Sequence, residues 1–250
     1  MIDFCHAKVG YPERAVLSDL TFSIPKGQIT SLIGPNGCGK TTLLRTIARQ
    51  LPPLDGSITL GGRLLSDFSR NEFARTVSYL PQVRRLPAIT VRQLVSHGRF
   101  PYLGFSRRMR EKDREAVDTA MRETGIFKWA DRDLRELSGG ERQRVYVAMA
   151  LAQDTDIILL DEPTTYLDLH RQFELLGLLT ELNRRGKTIV MVLHELSLVL
   201  RYSHQVALLF NGRLEDFDTP EALVKSGQID RVFGVHTCRV GDGYFFTPNL

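Results

Sequence analysis

Nine consecutive residues, Gly34-Pro35-Asn36-Gly37-Cys38-Gly39-Lys40-Thr41-Thr42, constrain this chain more than any other stretch. The apolar run 28–33 precedes them, and residues 43–48, apolar at helical spacing, follow. A strand, a glycine-rich turn and a helix in that order form the setting in which GxxxxGK[ST] cradles phosphate. Glycines let successive backbone N–H groups converge on one anion, and the N-terminal dipole of the helix adds to the attraction. Lys40 would then reach the β- and γ-phosphates of a nucleoside triphosphate, and the Thr41 hydroxyl would ligate Mg²⁺. Cys38 lies inside the cradle, beside Lys40 and the helix N-terminus, both of which favour thiolate. A small side chain packed under the loop is the alternative for that cysteine.

With 250 residues the chain has room for one large domain, or a domain with a subdomain. Its three cysteines, Cys5, Cys38 and Cys238, are widely spaced and odd in number, which argues against a disulfide framework or a zinc site. Apolar runs such as 188–193 fall far short of a membrane-spanning helix, and the start MIDFCHAKVGYPE lacks a signal-peptide pattern. The expectation is a cytosolic chain whose membrane role comes through a partner. The formal charge of +4 conceals an asymmetry: residues 84–114 hold nine basic against two acidic side chains, a local +7. Such a run is either a solvated helical surface or a face turned to anionic lipid or an acidic partner. No aromatic interleaving supports nucleic acid, so none is expected as a partner.

Taken in order, residues 4–9 and 20–24 read as strands, with Tyr11 on the intervening turn 10–13. Residues 57–62 read as a hairpin-like strand, 71–74 as a short helix, and 77–82 as an apolar strand closed by Pro81 with Gln82 just past its end. The stretch 86–150 changes character and reads as almost wholly helical, with helices over 90–97, 111–124 and 138–152. Three apolar runs without alternation follow at 156–161, 187–194 and 205–210, between helices over 172–184 and 196–202. Runs of that kind are strands buried on both faces of a parallel sheet. The glycine-rich turn, Gln82, Asp161-Glu162 and His194 each stand at the carboxyl end of such a strand, the edge where open α/β sheets bind ligands.

Asp161 ends four apolar residues, the arrangement in which a carboxylate holds Mg²⁺. Glu162 follows it, placed to orient or deprotonate a water attacking the γ-phosphate, and Pro163 ends the strand. His194 would hydrogen-bond the γ-phosphate, and Gln82 would complete the shell around Mg²⁺ and the water. Leu137-Ser138-Gly139-Gly140-Glu141-Arg142-Gln143-Arg144 offers backbone N–H groups, a hydroxyl and a helix N-terminus, which is a second phosphate-binding device. One nucleotide needs two such devices if it is sandwiched between two copies of the chain.

With these motifs in this order, the chain resembles the nucleotide-binding subunit of an ABC transporter over almost all of its length. The resemblance assigns Tyr11 to an aromatic A-loop that stacks on adenine, Gly34 to Thr42 to Walker A, and Gln82 to the Q-loop. It assigns Leu137, Ser138, Gly139, Gly140, Glu141 and Gln143 to the signature acting in trans, Asp161 with Glu162 to Walker B, Asp168 to the D-loop, and His194 to the switch. It implies an α/β fold: a P-loop NTPase (RecA-like) core with a mainly parallel sheet, an N-terminal antiparallel β subdomain and an inserted α-helical subdomain. It also implies a single domain over 1–250, with a catalytic core in 1–85 and 151–250 and the helical signature subdomain in 86–150. The function implied is ATP hydrolysis with ATP and Mg²⁺ in a homodimer docked on transmembrane permease subunits at the cytoplasmic face of the membrane, with an extracytoplasmic solute-binding protein as indirect partner. The Cys38 form of Walker A, His97-Gly98-Arg99-Phe100-Pro101-Tyr102 and Thr165-Tyr166-Leu167-Asp168 are similar to importers of iron–siderophore complexes, haem and cobalamin, iron–siderophore first among them. Haem, cobalamin or a metal ion as cargo, or a soluble ABC ATPase outside transport, are the alternatives. Glu195 after His194 and Asp218 before Thr219-Pro220 depart from the commoner family residues and leave the branch open.

Overall fold

The computed structural model describes residues 1–82, 86–104, 108–241 and 243–249. It forms two compact units, one of Met1–Asp67 with Thr188–Leu250 and one of Phe68–Lys187.

In the first unit an antiparallel sheet has the order Arg14–Ile24, Ile2–Tyr11, Asp55–Leu60, Arg63–Leu64. Ile2, Phe4, Ala7 and Val9 of one strand and Leu17, Leu20 and Ile24 of the next are all buried. Both strands are longer than the sequence pattern predicts, because bulges carry them past breaks in the alternation. His6 (φ 47°) and Asp19 (φ 55°) are left-handed where the register shifts, and His6 Nδ1 lies 2.7 Å from Asp19 Oδ1. Tyr11 is consequently a strand residue paired with Arg14, and the turn narrows to Pro12 and Glu13.

A second sheet in this unit runs Arg213–Asp218, Gln205–Phe210, Ile29–Ile33, Thr188–Val192. Ile29–Ile33 pairs in parallel with both neighbours, and every residue of it and of Thr188–Val192 is buried. Each fully buried Ile or Leu there contributes ~1.5–3 kcal/mol relative to exposure, which is why the runs do not alternate. Leu32 pairs with Val192, so Gly34 and His194 leave the sheet at the same carboxyl edge. The antiparallel strand Arg213–Asp218, the helices Pro220–Lys225 and Gln228–Phe233, and the hairpin Val235–Val240 with Gly243–Pro248 lie beyond what the sequence pattern anticipates.

In the second unit Val77–Leu80 and Ile157–Asp161 pair in parallel with Leu80 opposite Leu160, so Gln82 and Glu162 emerge side by side. The helices are Arg70–Thr76, Val91–Ser96, Glu111–Glu123, Gly139–Ala152 and Leu169–Arg184. After Val91–Ser96 the chain tightens into a 3₁₀ turn, His97–Tyr102, packed so closely that a Cβ on Gly98 would stand 2.3 Å from the Met149 carbonyl oxygen. Arg99 in this turn is 6% exposed, donates to Asp113 (3.1 Å) and to the Ala152 carbonyl (2.8 Å), and lies over the Tyr102 ring. Burial pushes the Asp113 carboxyl up, but the Arg110 N–H and the Arg99 guanidinium outweigh it and hold it below the usual carboxylate range. Arg92 pairs with Asp118. The basic run is therefore partly internal, and its count overstates the charge presented to a partner. Arg84, Arg85 and Arg107 of that run lie outside the described residues.

Candidate functional site

In the first unit the glycine-rich turn is built from left-handed backbone: Gly34 has φ 144°, Gly37 79° and Gly39 111°. A Cβ on Gly34 would stand 2.1 Å from the Leu209 carbonyl oxygen, and one on Gly39 2.9 Å from the side chains of Val16 and Leu17. Gly37 has nothing within 4 Å, so there only the conformation demands glycine. The helix Lys40–Ile47 starts directly from this turn and carries no acidic residue in its first turn. Lys40 is buried, and its Nζ donates to the carbonyls of Gly34 (2.7 Å) and Pro35 (3.0 Å), across the turn. Backbone N–H groups, a buried ammonium and a helix N-terminus with no acidic residue in its first turn form a donor set matched to a polyphosphate. A cleft of about 340 Å³ lies against the turn, lined by Arg14, Val16, Pro35, Asn36, Cys38 and Asn211 among others.

Tyr11 is 41% exposed, and Arg45 of the same helix donates to its hydroxyl at 3.4 Å. His194 is exposed, two residues past Thr188–Val192. Thr41 is half-buried and Thr42 buried. Cys38 corrects the expectation of a ready thiolate. Burial pushes its thiol above the ordinary value, and Lys40, whose Nζ lies 3.9 Å from Sγ, only partly offsets that.

In the second unit Asp161 is 1% exposed, and the Tyr79 hydroxyl donates to its Oδ2 at 3.4 Å. Glu162 has φ 53°, a conformation that costs a non-glycine residue ~1–2 kcal/mol. Two side chains hold its carboxylate: Gln82 Nε2 donates to Oε2 at 2.6 Å, and the Thr165 hydroxyl donates to the same oxygen at 3.2 Å. The turn continues through Tyr166, φ 68° and 84% exposed, to Asp168, whose Oδ1 accepts from Arg171 N and caps Leu169–Arg184. Tyr79 carries no sequence signal of its own, and Thr165 stands out only as part of Thr165-Tyr166-Leu167-Asp168, not as a partner of Glu162; both reach their carboxylate only through the fold.

Ser138 caps the helix Gly139–Ala152 in a reciprocal box. Its hydroxyl accepts from Glu141 N (3.3 Å), and Glu141 Oε2 accepts from Ser138 N (2.8 Å). The Ser138 N–H is the first cause that holds the Glu141 carboxyl below its usual range. Accepting that bond still leaves the Ser138 hydroxyl its own proton to donate. Leu137 and Gln143 of the same motif are buried within this unit. They are 2% and 6% exposed, and Gln143 Nε2 donates to the Pro163 carbonyl at 2.5 Å, inside its own unit.

Residues 17–165 match the ABC transporter family. The chain belongs to that family. It is 45% identical over 230 residues to the iron(3+)-hydroxamate import ATP-binding protein of Bacillus subtilis (strain 168), covering 89% of this chain and 86% of the relative. It is 43% identical over 242 residues to the ferric enterobactin transport ATP-binding protein of Escherichia coli (strain K12), covering 96% and 89%. Among solved structures it resembles a dimeric bacterial ABC transporter cassette, with a TM-score of 0.78 and 27% identity over 88% of this chain and 99% of that one. The fold is thus the P-loop cassette fold with its antiparallel N-terminal sheet, and the chain is an ATP-binding ATPase of the ABC type. Among the described residues no helix is long and apolar enough to cross a membrane.

Proposed function

We propose that this chain is the ATPase subunit of an importer for ferric siderophores, acting as a homodimer beneath transmembrane permease subunits that an extracytoplasmic solute-binding protein supplies. The observation that carries the cargo assignment is the match over nearly the whole chain to subunits named for ferric hydroxamate and ferric enterobactin import. Because such a subunit does not touch the cargo, the likeness, rather than any pocket, supports it.

The roles follow from the chemistry of each group. The turn Gly34–Thr42 and Lys40 hold the β- and γ-phosphates, and Tyr11 stacks on the base. Thr41, Asp161 and Gln82 keep the Mg²⁺ assignment that their motifs imply, with the metal supplying charge neutralisation on the phosphates when bound. Glu162 accepts the proton of the attacking water as its oxygen bonds the γ-phosphorus and the bond to the β,γ-bridging oxygen breaks, releasing ADP. His194 hydrogen-bonds the γ-phosphate, and Ser138 with Gly139 and Gly140 closes on the nucleotide held by the partner copy.

The direct test is uptake of ⁵⁵Fe-loaded hydroxamate and catecholate siderophores by cells that depend on this subunit. Uptake should require the parental chain and be absent with Glu162→Gln. Unchanged iron uptake together with lost cobalamin or haem uptake would reassign the cargo.

A further inference from the structure

The buried amide of Gln143 joins two motifs that the proposed roles assign to different nucleotides. Gln143 stands in the first turns of the helix that Ser138 caps, and its Nε2 reaches the Pro163 carbonyl at 2.5 Å. Pro163 directly follows Glu162, whose backbone is left-handed. The same segments also approach each other closely: a Cβ added at Gly140 would come within 3.3 Å of the Leu167 side chain, and one at Gly139 within 3.7 Å of Tyr166 Cβ. The start of the helix thus rests on the turn that presents Glu162. A strained non-glycine backbone persists only where its surroundings over-determine it. Gln82 and Thr165 hold the Glu162 carboxylate, and Gln143 holds the carbonyl of the next residue, Pro163.

We infer that Gln143 is a positioning residue acting within its own subunit, coupling the helix start that grips the partner's nucleotide to the Glu162 that hydrolyses its own. This deepens the dimeric reading and rests on it. When Ser138 and the two glycines engage a γ-phosphate across the dimer, any shift of the helix start passes through the Gln143–Pro163 bond to the residue beside Glu162. Each subunit's base is then set by its hold on the other's ATP.

The test uses two full-length copies joined in tandem. The first copy keeps Glu162 and the second carries Glu162→Gln, so turnover reports one base alone. Gln143→Met keeps the length of the side chain and removes the donor. Placed in the first copy, it should lower turnover about tenfold, as expected for a buried carbonyl left unpaired, with Mg-ATP affinity changed less than about twofold. Placed in the second copy, it should leave turnover near that of the tandem without it. Loss of turnover only with the second placement would mean that Gln143 acts on the partner's nucleotide, and no loss with either would remove its role; both outcomes overturn the inference. Turnover by the tandem with both Glu162 residues intact reports the ATPase reading separately, so a failure of that reading shows before Gln143 is altered.

Discussion

Two strand-end turns in this chain solve opposite problems. The turn after Ile29–Ile33 reaches left-handed backbone with Gly34, Gly37 and Gly39, and what it presents is main chain. The turn after Ile157–Asp161 reaches it with Glu162 and Tyr166, and what it presents is a carboxylate. Glycine makes the first turn nearly free of strain and leaves its backbone N–H groups bare at those three positions. The second turn keeps its side chains, carries the strain, and is held by hydrogen bonds from Gln82, Thr165 and Gln143. A binding loop wants its backbone bare, whereas a catalytic turn needs a functional group fixed in one place.

The largest break of this contrast comes at Gly34. Gly34→Ala puts a methyl 2.1 Å from the Leu209 carbonyl at a φ that alanine avoids. The expected cost is about 3 kcal/mol of stability, with loss of Mg-ATP binding. Denaturant unfolding and equilibrium nucleotide titration check both, and parental values in each would contradict the close approach.

Cys38 sharpens the contrast at the same loop. Because burial raises its thiol, the thiolate fraction near neutral pH is below that of an exposed cysteine. Alkylation by iodoacetamide should be slow at pH 7 and rise steeply only above the ordinary thiol range, and Mg-ATP should protect because Cys38 lines the cleft beside the turn. Fast labelling at pH 7 would restore the thiolate expectation.

The smallest effects have opposite signs in the two turns. Tyr166→Gly relieves a left-handed residue whose side chain is 84% exposed, so stability should rise by less than about 1 kcal/mol after the entropy of glycine is counted. Gly37→Ala has open space around it but the wrong φ, and should cost about 1 kcal/mol. Thermal unfolding of the pair resolves the two signs.

The same contrast explains what was legible before the structure. The glycine turn reads directly because left-handed backbone there leaves a residue-type mark, and the unalternated runs read because burial on both faces selects apolar residues at every position. Glu162 shows its chemistry but not its strain, since glutamate does not mark a left-handed φ. The partnership of Arg99 with Asp113 spans fourteen residues and a 3₁₀ turn, so charge counting alone cannot tell this buried ion pair from surface charge. The sequence leaves Cys38 open between thiolate and packed thiol because its charged neighbours are local in sequence, whereas the desolvation that outweighs them is not. The first strands read shorter in the sequence than they are because bulges at His6 and Asp19 break the alternation without ending the pairing. Gln143 belongs to a motif in which Ser138 and Gly139 are exposed, and only the fold shows its amide turned inward.

The central claim is that the glycine turn binds and the Glu162 turn hydrolyses. Measuring Mg-ATP affinity and steady-state turnover on the Glu162→Gln full-length chain tests it most directly. Affinity should stay within about twofold of the parent, while turnover falls by roughly 10²–10⁴, the range set by loss of a general base. Turnover at the parental rate, or affinity lost in step with it, would contradict the division of labour between the two turns.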